Sequence, residues 1–175
     1  MGVIMPWLET VFSSRERTRY TMDGAGLFVP APLPDLRRAL EAAELKAGEL
    51  FWDLGSGDGR VVFLAAEMGA HARGIEADES LFRQATDIQK SVCPATSAAT
   101  EFTRGDFLDC SFEEPDVIFY YGGGAPRRQH ELYTKLERDM HPGTRLIVFR
   151  TSRRPPLNLR SHLNSHPPEY HILVG

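Results

Sequence analysis

Only two of the 175 residues are cysteine, Cys93 and Cys110. Two isolated thiols make neither a disulfide framework nor a metal-ligand spacing. The sequence therefore predicts reduced cysteines in an intracellular, cytoplasmic protein. No apolar run is long enough to span a bilayer, so no membrane helix is expected. The apolar start MGVIMPWLETVF is broken by Glu9 and lacks a basic flank and a small-residue cleavage site, so no signal peptide is expected either. Pro6 stands where a myristoylation signal at Gly2 needs Ser or Thr. Internal repeats and low-complexity tracts are absent. His162, His166 and His171 show no regular ligand spacing, and no metal is expected.

What is present is ordinary globular composition. With 42% apolar and 25% charged residues, the chain can build one sizeable core, and a disordered or collagen-like chain is excluded. The net charge of −4 hides an asymmetry: residues 1–125 are acidic in balance, whereas residues 126–175 carry 9 basic and 4 acidic side chains. A basic carboxyl-terminal segment suits an acidic protein or nucleic acid, or simply a solvated surface.

Along the chain, residues 1–29 read as an extension with a short amphipathic helix (Trp7, Leu8, Val11, Phe12) and a polar loop. Residues 30–175 read as the main domain. The prolines of FVPAPLP forbid helix until about Pro34, which opens a helix carrying Leu36 and Leu40. From Glu49 the pattern alternates. ELFWDL, HARGIEA, TEFTRGD, DVIFYY and TRLIVFRT read as strands. RVVFLAAEMG, ESLFRQATDIQKSV (capped by Asp78 and closed by Pro94) and the segment from Pro126 to about Asp139 read as helices. EYHILVG is expected as a final antiparallel strand. Such βαβ alternation predicts an α/β fold, a doubly wound and mostly parallel sheet with helices on both faces. Ligands of such sheets bind beyond the carboxyl ends of the strands, where the strand order reverses.

The turn after the first strand is Asp53-Leu54-Gly55-Ser56-Gly57-Asp58-Gly59-Arg60. Its glycines allow a tight turn and a close ligand. A dinucleotide fingerprint G-x-G-x-x-G would place its third glycine at Arg60. Asp58, moreover, would meet a pyrophosphate at the helix start with like charge. The expected ligand is therefore a nucleoside without a phosphate chain. Glu76, at the end of the second strand, is placed to accept hydrogen bonds from ribose hydroxyls. Asp106, after the third strand, is placed to hold an exocyclic amine, with Phe107 beside the base.

FWDLGSGDGR, GIEADESLF and RGDFLD resemble the first three cofactor motifs of the Rossmann-like S-adenosylmethionine-dependent methyltransferases. FVPAP resembles the Y-V-P-T-P segment of the small seven-strand protein-lysine methyltransferases of archaea and their mitochondrial relatives. DVIFYY, the later helix, HPG and LIVFRT are similar to that family's D-V-V-x-x-Y, helix, P-G and strand. The resemblance covers roughly residues 27–152. P-T-P with D-L-G-S-G also occurs in histone methyltransferases of this fold, but the compact size favours the former group.

The resemblance implies S-adenosylmethionine as cofactor, held by Asp53, Gly55, Ser56, Gly57, Glu76, Asp106 and Phe107. It implies a protein lysine as acceptor, with Tyr121, and beside it Tyr120, at the catalytic end. Three features depart from the family. Ala31 replaces the threonine of P-T-P, Gly122-Gly123-Gly124 follows Tyr121, and Thr151-Ser152-Arg153-Arg154 replaces an Asp-Phe pair. Two alternatives stand beside the lysine reading. One is an RNA or small-molecule methyltransferase, although the Asn/Asp-Pro-Pro-Tyr signature of base methylation is absent. The other is a non-catalytic cofactor-binding or interaction protein.

Overall fold

A computed structural model describes residues 5–13, 19–20, 27–123, 125–150, 155–165 and 170–175. The expectations for Gly124, Arg153 and Arg154 and for the side chains of His162 and His166 lie outside these residues. In chain order the elements are α1 (Pro6–Phe12), β1 (Arg19–Tyr20), β2 (Leu27–Phe28), α2 (Leu33–Ala42), β3 (Leu50–Leu54), α3 (Arg60–Glu67), β4 (His71–Glu76), α4 (Glu79–Ser91), α5 (Pro94–Ala98), β5 (Thr100–Arg104), β6 (Val117–Tyr121), α6 (Pro126–Asp139), β7 (Arg145–Phe149), β8 (Arg160–Ser165) and β9 (Tyr170–Val174).

Seven strands form one sheet in the order β5-β4-β3-β6-β7-β9-β8, while β1 and β2 form a separate antiparallel ribbon. The first five strands of that order run parallel, and β9 runs antiparallel to β7. This is the doubly wound, mostly parallel sheet expected from the βαβ alternation. Covering both faces explains why β3 and β6 read as unbroken apolar runs rather than alternating ones. Side chains of β3, β6 and β7 divide between the two faces by strand alternation. Phe51, Phe119 and Phe149 join the core beneath α1, α2 and α3. Trp52, Ile118, Tyr120 and Val148 join the core beneath α6. Leu8 and Phe12 of α1 are fully buried in the first of these cores, and the Phe12 and Phe63 rings lie 6.2 Å apart.

Asp78 caps α4, its side chain accepting a hydrogen bond from the Leu81 N–H, and Leu81, Ala85 and Ile88 form the buried stripe. Two elements differ from the sequence-based expectation. Pro94 does not merely close α4; it sits at the first position of a further short helix, α5, where its missing N–H costs nothing. The polar stretch before the final strand contains β8, an edge strand that pairs antiparallel with β9. Among the described residues, no helix is long and apolar enough to cross a membrane.

The strand order reverses between β3 and β6. The chain winds outward from β3 through β4 to β5, then returns to place β6 on the other side of β3. A crevice opens above the carboxyl ends of these two strands.

Candidate active site

The glycine turn fills the floor of that crevice, and its own amides are committed inward. The Gly55 and Ser56 N–H groups both donate to the Ile75 carbonyl, at 2.9 and 3.0 Å. The Gly57 N–H donates to Glu76 Oε2 at 2.7 Å. The Gly59 N–H donates to the Ser56 carbonyl at 2.9 Å. A phosphate cradle needs such amides pointing at the ligand. Here a protein carboxylate takes one of them and carbonyls take the others, so the turn is not built for an anion. Gly57 is required for a second reason. Its φ is 57°, and a Cβ there would lie 2.5 Å from the Phe28 ring, which is the wall facing the turn.

Asp53, at the end of β3, is 2% exposed, and its Oδ2 has no hydrogen-bond partner among the described residues. Burial, then the neighbouring charges of Glu76 and Asp58, raise its carboxyl well above the usual carboxylate range. Ser56 Oγ is likewise buried and unpartnered among the described residues. Glu76 is oriented by two amides, Gly57 on Oε2 and Asp78 on Oε1, the latter at 2.8 Å. Asp58 is a correction. Its carboxylate is not left to repel a ligand but is paired in the interior with Arg60, at 2.8 Å. The exclusion of phosphate rests instead on the committed amides and on Asp53 and Glu76.

Asp106 caps the single turn Phe107–Asp109 by accepting the Leu108 N–H at 3.0 Å. Both of its oxygens also accept from Arg128 Nη2 of α6, at 2.8 Å each. The Arg128 guanidinium lies 5.6 Å from the centre of the Phe107 ring. No local motif marks Arg128, because only the packing of α6 over the crevice brings it to Asp106.

β6 delivers its two tyrosines to opposite faces. Tyr120 is buried, edge-on to Phe107 at 6.2 Å and to Tyr133 at 6.3 Å, and its hydroxyl donates to the Gly123 carbonyl. Burial, then Tyr133, push its phenol up to about 12. Tyr121 is half-buried, 5.8 Å from the Phe149 ring, and burial raises its phenol too. All nine residues singled out from the sequence — Asp53, Gly55, Ser56, Gly57, Glu76, Asp106, Phe107, Tyr120 and Tyr121 — line this one crevice, together with Phe28, Ala31 and Arg128.

Residues 53–152, more than half of the chain, match the ANTKMT methyltransferase domain. The chain belongs to that methyltransferase family. It is a Rossmann-like, S-adenosylmethionine-dependent methyltransferase. A protein-lysine N-methyltransferase of Saccharolobus islandicus (strain REY15A) is 29% identical over 123 residues, which cover 69% of this chain and 73% of that protein. A lysine N-methyltransferase of Homo sapiens, named for its ATP synthase substrate, is 28% identical over 123 residues, 70% of this chain and 51% of that one. The chain thus spans about half the length of the human relative. The crystal structure of an RNA methyltransferase from Salinibacter ruber in complex with S-adenosyl-L-homocysteine superposes with a TM-score of 0.70 at 30% identity, covering 83% of this chain and 94% of that one.

The crevice of this methyltransferase fits its cofactor on electrostatic grounds. S-adenosylmethionine carries a sulfonium and an ammonium, and the floor presents a buried carboxyl with an unpartnered oxygen. A cationic ligand would relieve the mutual repulsion of Asp53 and Glu76, where a phosphate would add to it. At Gly55 a Cβ would meet nothing within 4 Å, so the turn leaves open space on its upper side. Among the described residues, no group of three or more His, Cys, Asp or Glu side chains is arranged to hold a metal ion.

Proposed function

We propose that this methyltransferase carries a methyl group from S-adenosylmethionine to the side-chain amine of a protein lysine. Bound in the crevice, the cofactor supplies an electrophilic methyl on a sulfonium, which the amine lone pair takes by in-line displacement as the carbon–sulfur bond breaks. The chain's own residues bind, orient and dry the site. Glu76, its carboxylate fixed by two amides, receives the ribose hydroxyls. Asp106 receives the exocyclic amine of the base, held in place by Arg128, and Phe107 lies beside the base. Gly55, Ser56 and Gly57 border the methionine half, and Asp53 faces its positive charge.

Lysine attacks only after losing its proton, and its free pKa is about 10.4. Tyr120 and Tyr121 are not bases for that proton, since both phenols are raised. They act as walls. An aromatic, water-poor channel lowers the amine pKa and keeps the amine in line, and alignment of this kind contributes roughly 7–11 kcal/mol to such reactions. The observation that carries the cofactor half of the proposal is the buried, unpartnered Asp53 oxygen beside Glu76. The lysine half is supported by the 123-residue similarity to two proteins named as lysine methyltransferases.

An RNA acceptor is the second reading, favoured by the Salinibacter ruber structure and by the basic balance of residues 126–175. One experiment separates the two. The protein is incubated with cell lysate and cofactor labelled in the methyl group, and the product is split between protease and ribonuclease. Label released by protease and recovered as methyl-lysine supports the proposal. Label released by ribonuclease replaces it with the second reading.

A further inference from the structure

Arg60 is 4% exposed, yet its guanidinium joins three separate segments of the chain. Nε and Nη2 donate to Asp58 Oδ1 and Oδ2 at 3.0 and 2.8 Å. Nη1 donates to the Ala31 carbonyl at 2.9 Å. The guanidinium carbon also lies 5.2 Å from the centre of the Phe12 ring in α1. Asp58 is fully buried, so the two charges neutralise each other where neither is tolerated alone.

The segments joined are the walls of the crevice. Phe28 and Ala31 line one side and the glycine turn lines the floor. The Phe28 ring sits where a side chain at Gly57 would go, so wall and floor already touch at one end. Arg60 fastens them at the other. An arginine is required, because its planar fork aims donors in fixed directions at a carboxylate and a carbonyl together. Lysine, a single ammonium on a flexible stem, satisfies one or the other.

We propose that Arg60 is a positioning residue for the cofactor: it clamps segment 28–31 onto the glycine turn and, through Phe12, makes α1 part of the binding machinery. The clamp accounts for the alanine at position 31. The family's threonine hydroxyl is missing there, but the position is held by its main-chain carbonyl, which no side-chain change removes. The inference rests on the cofactor reading above, since the segment matters to catalysis only if the crevice holds S-adenosylmethionine.

The test uses the full chain with Arg60→Lys and, to avoid stranding a buried charge, the double variant Asp58→Asn/Arg60→Gln. Three quantities are measured: S-adenosylhomocysteine affinity by calorimetry, amide hydrogen exchange across the chain, and KM for cofactor against kcat. In folded variants the inference expects affinity to fall about tenfold or more, as for loss of a hydrogen bond to a charged group. It expects faster exchange in β2 and residues 29–31 with β4 and β6 unchanged, and a rise in KM larger than any fall in kcat. Unchanged affinity, or unchanged exchange in 28–31, in either folded variant overturns it. If the wild-type protein itself fails to bind S-adenosylhomocysteine, the cofactor reading falls, while the exchange data still decide whether Arg60 holds the segment.

Discussion

The Glu76 carboxylate accepts the Gly57 amide at 2.7 Å, tying the end of β4 to the glycine turn that follows β3. A protein carboxylate thereby takes up an amide that a phosphate-binding turn would present to its ligand. An ionised carboxylate has about four lone-pair sites, so two amides leave Glu76 capacity for hydroxyl donors.

The first prediction follows from that contact. Glu76→Ala removes both an acceptor for the ribose and the fastening of the turn. Affinity for S-adenosylhomocysteine should fall by about 1.5–3 kcal/mol, the range for hydrogen bonds to a charged group. Titration calorimetry measures it directly, and an unaltered dissociation constant would remove Glu76 from the site.

Asp53 yields a pH prediction of unusual sign. Its carboxyl is raised in the folded protein, chiefly by burial. Above the ordinary carboxylate range the native state therefore holds a proton that the unfolded state has lost. Stability contributed by Asp53 declines as pH rises from that range up to the raised folded value, and is constant beyond it. Asp53→Asn should flatten this decline and melt higher than wild type near neutrality. The same variant should bind the cationic cofactor more weakly. In the wild type, binding should release a proton and strengthen as pH rises through the raised value. Melting curves and calorimetry in buffers of different ionisation enthalpy check both halves, and a variant less stable than wild type at neutral pH would contradict the assignment.

Arg128→Ala separates positioning from stability. The Arg128–Asp106 pair is 40% and 33% exposed at its side chains, so its net contribution to folding is small, under about 1 kcal/mol. Without Arg128, however, Asp106 keeps the Leu108 amide but loses both guanidinium hydrogen bonds, and Phe107 loses the cation over its ring. Melting temperature should hardly move while affinity for S-adenosylhomocysteine drops severalfold. Equal and large losses in both would show that the pair is mainly structural.

The fold is legible in the sequence where local chemistry and tertiary role agree. Asp53, Glu76 and Asp106 each follow an apolar strand run, and in a parallel sheet strand ends converge, so their meeting is readable from order alone. The β8 strand is not readable. RSHLNS lacks an alternating apolar pattern and lies on the sheet edge, where pairing with β9 substitutes for packing on both faces. Pro94 is ambiguous because the same ring that ends one helix opens another. Arg60 and Arg128 escape for a different reason. Their partners, Ala31 and Asp106, are distant in sequence, and long side chains reach them only once α1, α3 and α6 are packed. Asp58 illustrates the cost of missing such a partner: without Arg60 in view, a neutralised carboxylate looks like a repulsive one.

The final prediction concerns the acceptor end, where alternation along β6 gives its two tyrosines different tasks. Tyr120 is turned toward α6, and its hydroxyl is spent on the Gly123 carbonyl, so Tyr120→Phe should loosen the segment after β6 at a cost of about 0.5–1.5 kcal/mol. Tyr121 lies on the other face against Phe149, half-buried at the rim of the crevice. Tyr121→Ala should lower turnover while leaving cofactor affinity nearly intact, because a slack wall misorients the amine in the transition state without touching the adenosine. Tyr121→Phe should keep most of the activity. The phenol is raised by burial and stays protonated at working pH, so the ring rather than an ionised oxygen carries the effect. Single-turnover methyl transfer with saturating cofactor distinguishes these outcomes. Wild-type rates in Tyr121→Ala would mean that the acceptor does not pass this ring, and loss of activity in Tyr121→Phe would assign the role to the hydroxyl.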